Sequence, residues 1–165
     1  MDLAALLLRL SIGLILLLHG LNHARGGIAG VAGWFDSIGL RPGRLHAWLA
    51  TVTEIAVGTL LIAGLLTSLS AAGSIGLMAV ALVTTHLHNG FFIFNEGQGY
   101  EYVVQLMVAS AALAALGGGT ISVDALFGIG FSGWQGLGVG VLLGMGGAGI
   151  LLLSCWRRPV RSADA

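Results

Sequence analysis

LAALLLRLSIGLILLLHGL, residues 3–21, carries a single formally charged side chain, Arg9, in an otherwise apolar run. The hydrocarbon core of a bilayer is roughly 30 Å thick and a helix rises about 1.5 Å per residue, so about 20 mostly apolar residues cross it. The run therefore predicts a membrane-spanning helix. It lacks the basic flank and small-residue cleavage site of a signal peptide, so it is expected to be retained. The whole chain agrees with this reading, with 56% hydrophobic and only 8% charged residues and a mean hydropathy of +0.96.

Working outward, four further runs have the same character: Ala47 to Leu66, Ser70 to about His88, a shorter one from Tyr102 to Leu116 extended at its start by Glu101, and Trp134 to Trp156. In lipid every backbone polar group needs a partner within the segment, so runs that cross do so as helices. The fold class expected is an all-α membrane protein, a four-helix transmembrane bundle plus an additional fifth C-terminal transmembrane helix. Residues 1–127 form the four-helix domain, and residues 128–165 hold the fifth helix and a basic tail. Between the first two runs, Ile28, Val31, Phe35 and Ile38 recur at helical spacing beside Trp34, which predicts a short interfacial helix over about 28–39. With five crossings, Arg25, Arg41, Arg44, Arg157, Arg158 and Arg161 all fall on one side and the opposite loops hold none. The positive-inside rule makes that side cytoplasmic and the N-terminus external.

Composition also excludes functions. The formal net charge is zero, and without a basic patch no electrostatic footprint for nucleic acid exists. The single cysteine, Cys155, permits neither an internal disulfide nor a dithiol centre. No Cys-x-x-Cys-His or dinucleotide fingerprint is present, so neither haem nor flavin is expected.

The few polar residues inside the runs carry the chemistry. Arg9 would cost about 2.5–3.5 kcal/mol near a helix centre on insertion scales, so it needs a partner or the interface. An ion pair with Asp124, whose loop lies at the same end, is the structural expectation. Glu54 sits about 12 Å into the second run, counted from His46. Thr51, Glu54 and Gly58 share one face there, which should point into the bundle. An intramembrane carboxylate is a functional candidate by default. His19 and His23 lie four residues apart on one face of the first helix. Without the glutamate of a zincin motif this spacing makes no metal site.

The third run ends in the most polar stretch of the chain, HLHNGFFIFNEGQGYEY, residues 86–102. His86 and His88 are about 200° apart on a helix, which argues against a shared ligand. Counting helical rise places His19, Glu54, His86, Glu101 and Gln105 in the same half of the membrane. This is the arrangement of a pocket built from facing helices. Glu54 and His86 are the candidates for proton exchange. In the fifth run, Gly136, Gly140, Gly144 and Ala148 form a small-residue ridge suited to close helix contact, within the bundle or with a partner protein.

These residues, in this order, resemble the DoxX-like membrane proteins. The resemblance runs from Leu8 to about Leu126 and rests on Arg9 and His19-Gly20, Ser37-Ile-Gly-Leu40, Glu54 with Gly58, His86 with Asn89-Gly-Phe-Phe92, Gly99-Tyr-Glu-Tyr102 and Ser122-Val-Asp124. Asn22-His23 stands where relatives often carry a lysine. The resemblance implies a compact four-helix membrane bundle in a prokaryotic plasma membrane. Relatives include a subunit of thiosulfate:quinone oxidoreductase and proteins associated with thiol-handling and superoxide-detoxifying enzymes.

The expected function is a membrane subunit that binds a quinone-like or other small redox ligand and supports a partner oxidoreductase. The alternative is a non-catalytic anchor or scaffold, suggested by the glycine ridge and the missing cysteine pair. Transport is a third class, but no internal repeat or paired broken helices support it.

Overall fold

A computed structural model describes residues 2–159 and shows an all-helical chain. Its elements are α1 (Asp2–Gly26), α2 (Ile28–Ser37), α3 (Gly43–Ala63), α4 (Thr67–Ala81), α5 (Glu101–Leu116), α6 (Val123–Phe127) and α7 (Gly133–Cys155). α4 runs on through one π-helical turn, Leu82–His86. Among the described residues the only β-type pairing is an isolated bridge between Leu40 and Trp156.

Four helices are long and apolar enough to cross a membrane: Asp2–Gly26, Gly43–Ala63, Thr67–His86 and Gly133–Cys155. α5 is a shorter apolar helix, about 24 Å by helix rise. The expected interfacial helix is α2, whose Phe35 is buried while Trp34 stays half exposed. Ile28, Val31 and Ile38 pack with Phe35, Leu40 and Ala47 into a cluster at the start of α3.

The turn between the second and third runs comes three residues earlier than the Thr67 to Leu69 connector expected from the run boundaries. Gly64 ends α3 in the left-handed region (φ 70°), where a residue without a β-carbon is favoured, and Leu65 N–H bonds Leu60 O at 2.9 Å. α4 then starts at once, because the Asp124 carboxylate accepts from Leu66 N–H at 2.6 Å and from Thr67 N–H at 2.8 Å. A carboxylate in this place satisfies otherwise orphaned donors and complements the helix dipole.

Close approach of helices follows from small residues at the crossings. A β-carbon on Gly13 would lie 2.8 Å from Gly58 O, and one on Gly58 would lie 2.7 Å from Gly13 O, so α1 and α3 meet backbone to backbone. Around this contact Ile12, Leu16, Val57, Leu61 and Leu113 form the main core. Thr51, Glu54 and Gly58 are all buried, as their shared face requires. α4 and α5 are tied by a buried Ser74–Ser110 hydroxyl pair at 2.8 Å.

α7 packs along α4 and α5. Gly136, Gly140, Gly144 and Ala148 are its buried residues. A β-carbon on Gly136 would collide with Ala114 O, one on Gly140 would lie 2.7 Å from the Ala114 β-carbon, and one on Gly144 would lie 2.7 Å from Ala72 O. The ridge thus faces the bundle. At its C-terminus α7 docks on the α2–α3 connection, where Trp156 Nε1 donates to Ile38 O at 2.9 Å and Arg157 N–H to Gly39 O at 2.9 Å.

The arginines sort by end. Arg25, Arg41, Arg44, Arg157 and Arg158 are exposed where α1 and α7 finish and α3 begins. Arg161 lies outside the described residues. Arg9, 1% exposed, reaches the opposite end and donates to Ile121 O.

The expected Arg9–Asp124 ion pair is not in direct contact. Among the described residues the only acid–base side-chain pair within bonding reach is His23–Glu54, at 3.0 Å. Asp124, 4% exposed, uses both oxygens on the first amides of α4, so Arg9 turns to the backbone carbonyl at Ile121 and lies against Gly64 instead. Asp124→Ala is therefore expected to lower stability by about 1–3 kcal/mol, read by thermal unfolding of the purified protein in detergent. Asp124→Asn, which keeps one acceptor, should lose less; equal stability of all three proteins would contradict the capping role.

Candidate functional site

A cavity of about 650 Å³ is lined by side chains from α1, α2, α3, α4, α5, α7 and the 89–100 loop. Its polar lining is concentrated in a few residues: His19 and His23 of α1, His46, Thr53 and Glu54 of α3, Thr84, Thr85 and His86 of the π-helical turn, and Gln98 and Tyr102 beyond it.

Local sequence explains how these groups meet. On α1, Gly20 sits between the two histidines, and a β-carbon there would lie 2.7 Å from Ile55 Cγ1 and 3.0 Å from the Glu54 β-carbon. The missing side chain lets α3 approach, and one turn on His23 Nδ1 comes 3.0 Å from Glu54 Oε2. Their alignment does not make a hydrogen bond, so both atoms, like the buried His46 Nε2, are without a hydrogen-bond partner. Glu54 is 8% and His46 4% exposed. Buried polar atoms nearly always have partners, so unpartnered ones that line a cavity point to a ligand or water.

The π-helical turn shapes the opposite wall. Leu87 N–H bonds Leu82 O at 2.9 Å, five residues back, and this widened turn presents Thr84, Thr85 and His86 consecutively to the cavity. Such turns recur at functional sites. His86 Nδ1 lies 2.9 Å from Gln98 O, which fastens the ring to the loop. The loop is knitted by Asn89 Nδ2, which donates to Thr85 O at 3.0 Å and Gly97 O at 2.7 Å, and by Asn95 Nδ2, which donates to Asn89 O at 2.8 Å. At Gly99 a β-carbon would strike the carbonyls of Phe91 and Phe92, which accounts for a glycine there.

Of the residues expected to share a pocket, His19, Glu54 and His86 line the cavity, while Glu101 and Gln105 do not. Gln105 is exposed, because α5 offers Tyr102 and Val103 to the cavity instead. His19 is exposed as well, with Nδ1 3.0 Å from Ile15 O of its own helix. Sequence reasoning missed two residues. His23 shares the His19 face at i+4, and His46 shares a face with Ala50, Thr53 and Glu54 at i+4, i+7 and i+8; those spacings were the available signals. Among the described residues no three His, Cys, Asp or Glu side chains are grouped to hold a metal ion.

A family model described as DoxX matches residues 4–87, just over half of the chain. The matched stretch takes in α1 to the end of the π-helical turn, with His19, His23, His46, Glu54 and His86, and leaves α5, α6 and α7 outside. No curated protein and no solved structure matches the chain.

Since the α1–α3 approach sets the His23–Glu54 contact, Gly20→Val should push the helices apart and cost about 1–3 kcal/mol by overpacking. Gly26→Ala, whose β-carbon meets nothing within 4 Å, should leave unfolding unchanged. Comparable melting curves for both variants would show that the crossing tolerates a side chain.

Proposed function

Because this chain belongs to the DoxX family, we propose that its cavity receives a quinone-like or other small redox ligand and that it serves a partner oxidoreductase as a membrane subunit. The family and the apolar helices make it a multi-pass membrane protein. The observation that carries the ligand reading is that the His23–Glu54 pair and His46 line one cavity with buried atoms that lack hydrogen-bond partners.

These residues fit a quinone head. Interconversion of quinone and quinol moves two electrons and two protons, and here the electrons would come from or go to the partner redox protein. Glu54 and His23 would exchange protons with the ring oxygens, which suits a carboxyl–imidazole pair held 3.0 Å apart and shielded from bulk water. His86, on the side of the cavity nearest the arginine-rich end and fixed by Gln98, would pass protons onward to water. His46 Nε2 would bond the head and orient it.

On this reading the shorter α5 also crosses, giving five crossings. Residues 1–127 contribute the polar part and residues 128–165 an added wall. The arginines at one end of the bundle support, by the positive-inside rule, a cytoplasmic position for that end in a prokaryotic plasma membrane, with the N-terminus outside. The alternative of a non-catalytic scaffold leaned on the glycine ridge of α7, and that ridge is buried against α4 and α5.

Equilibrium titration of the purified protein with a short-chain benzoquinone should give saturable binding. Glu54→Gln and His23→Ala are each expected to weaken it by roughly tenfold to a hundredfold, the loss of a bond to a charged group. Gln105→Ala should change nothing; no saturable binding, or an unaltered Kd in Glu54→Gln, would remove the quinone reading. For topology, single cysteines at Arg25 and Phe127 in a Cys155→Ser background are to be probed with an impermeant maleimide on intact cells. Labelling confined to the Phe127 position is expected, and the reverse pattern would invert the assignment.

A further inference from the structure

The polar residues account for only part of the cavity. The remainder is an apolar slot whose floor is α4, at Gly73 and Gly76, and whose sides are α3, at Leu49, and α7, at Leu143 and Gly147. α7 packs chiefly on α4 and α5, and α3 and α7 share an apolar cluster only where Ala47 and Ala50 approach Leu151. Lining residues run along α4 from Leu69 to Thr84, about 22 Å of helix rise. Leu49 and Leu143 are half exposed and Gly147 is exposed, on helices long enough to cross a membrane, so the opening faces acyl chains. Toward the arginine-rich end the slot is bordered by Phe35 and Leu40, which belong to the apolar cluster that includes Trp156.

We propose that this slot is a lipid-side groove for the hydrocarbon chain of an amphipathic ligand whose neutral, hydrogen-bonding head lies at His23, His46 and Glu54, with α7 supplying one wall. The inference deepens the reading given above, that a ligand head occupies the polar pocket, and adds the class of ligand and its route of access.

The lining of the slot supports this, together with the head-end residues on which that reading rests. The slot offers carbon from Gly, Ala and Leu and no fixed charge, which suits an unsubstituted chain. The head end carries buried atoms without partners on Glu54 and His46, and these require hydrogen-bonding groups. The head end presents a carboxyl group and imidazoles and no arginine or lysine, so it offers hydrogen-bond donors and acceptors to a neutral head. A β-carbon added at Gly147, which lines the groove, would meet nothing within 4 Å. α7 lies outside the stretch matched by the family model, which makes this wall an addition to the α1–α4 part of the site.

The same geometry supplies the test. Gly147→Leu projects into the groove without a steric penalty, whereas Gly146→Leu, equally free of neighbours, does not line it. Wild type and both variants are to be placed in phosphatidylcholine nanodiscs and titrated with a decyl-substituted benzoquinone and with the same ring lacking the chain. Binding is to be counted above that of protein-free discs. The decyl form should bind wild type and Gly146→Leu about tenfold more tightly than the bare ring, and Gly147→Leu should erase that advantage while leaving the bare ring unaffected. Equal binding of the two rings to wild type, or equal losses in the two variants, would overturn the groove while leaving the quinone reading intact. Should neither ring bind, native mass spectrometry of the purified protein decides: a neutral single-chain lipid retained by wild type and lost in Gly147→Leu supports the groove and retires the quinone, and no such lipid overturns both.

Discussion

The contact on which the rest depends is the backbone-to-backbone crossing of α1 and α3. Gly13 and Gly58 oppose each other there, and Gly20 leaves room for Ile55 and the stem of Glu54. In a membrane there is little hydrophobic force to hold helices together, so association relies on close van der Waals packing and on polar contacts between them. The glycines make that packing close, and closeness in turn brings His23 onto Glu54. A single crossing thus builds the core and sets the spacing of the central polar pair.

Away from the cavity, the chain meets the scarcity of partners in lipid largely by spending polar side chains on backbone groups. Asp124 caps α4, Ser122 caps α6 through Ala125 N–H at 3.1 Å, and Ser68 donates to Phe131 O at 2.9 Å. Thr59 and Thr84 bond carbonyls of their own helices. At the cavity, His19 and His86 likewise contact the Ile15 and Gln98 carbonyls, whereas Glu54 and His46 keep buried atoms without a backbone partner. The contrast separates polar residues that serve folding from those available for chemistry.

α7 has two faces with different uses. Its small residues at four-residue spacing bury against α4 and α5, and the adjacent Leu143, Gly147 and Leu151 border the cavity. Its end is pinned to the α2–α3 connection through Trp156 and Arg157. A helix that stabilises the bundle therefore also determines how far the cavity extends along α4.

Sequence by itself determined the helical class, the apolar runs, the interfacial helix, the burial of Glu54 and the sorting of arginines to one end. Each of these follows from length, hydropathy or helical periodicity, which are properties of a segment taken alone. Only the tertiary structure decided the partners. Asp124 caps a helix instead of pairing with Arg9, His23 and not His19 reaches Glu54, His46 joins the cavity, and Glu101 and Gln105 stay outside it. Such outcomes turn on rotations and crossings of a few ångströms, set by which glycines let backbones touch. Residue counting along one helix carries no information about its azimuth relative to the next, and that azimuth selects which polar side chain meets which.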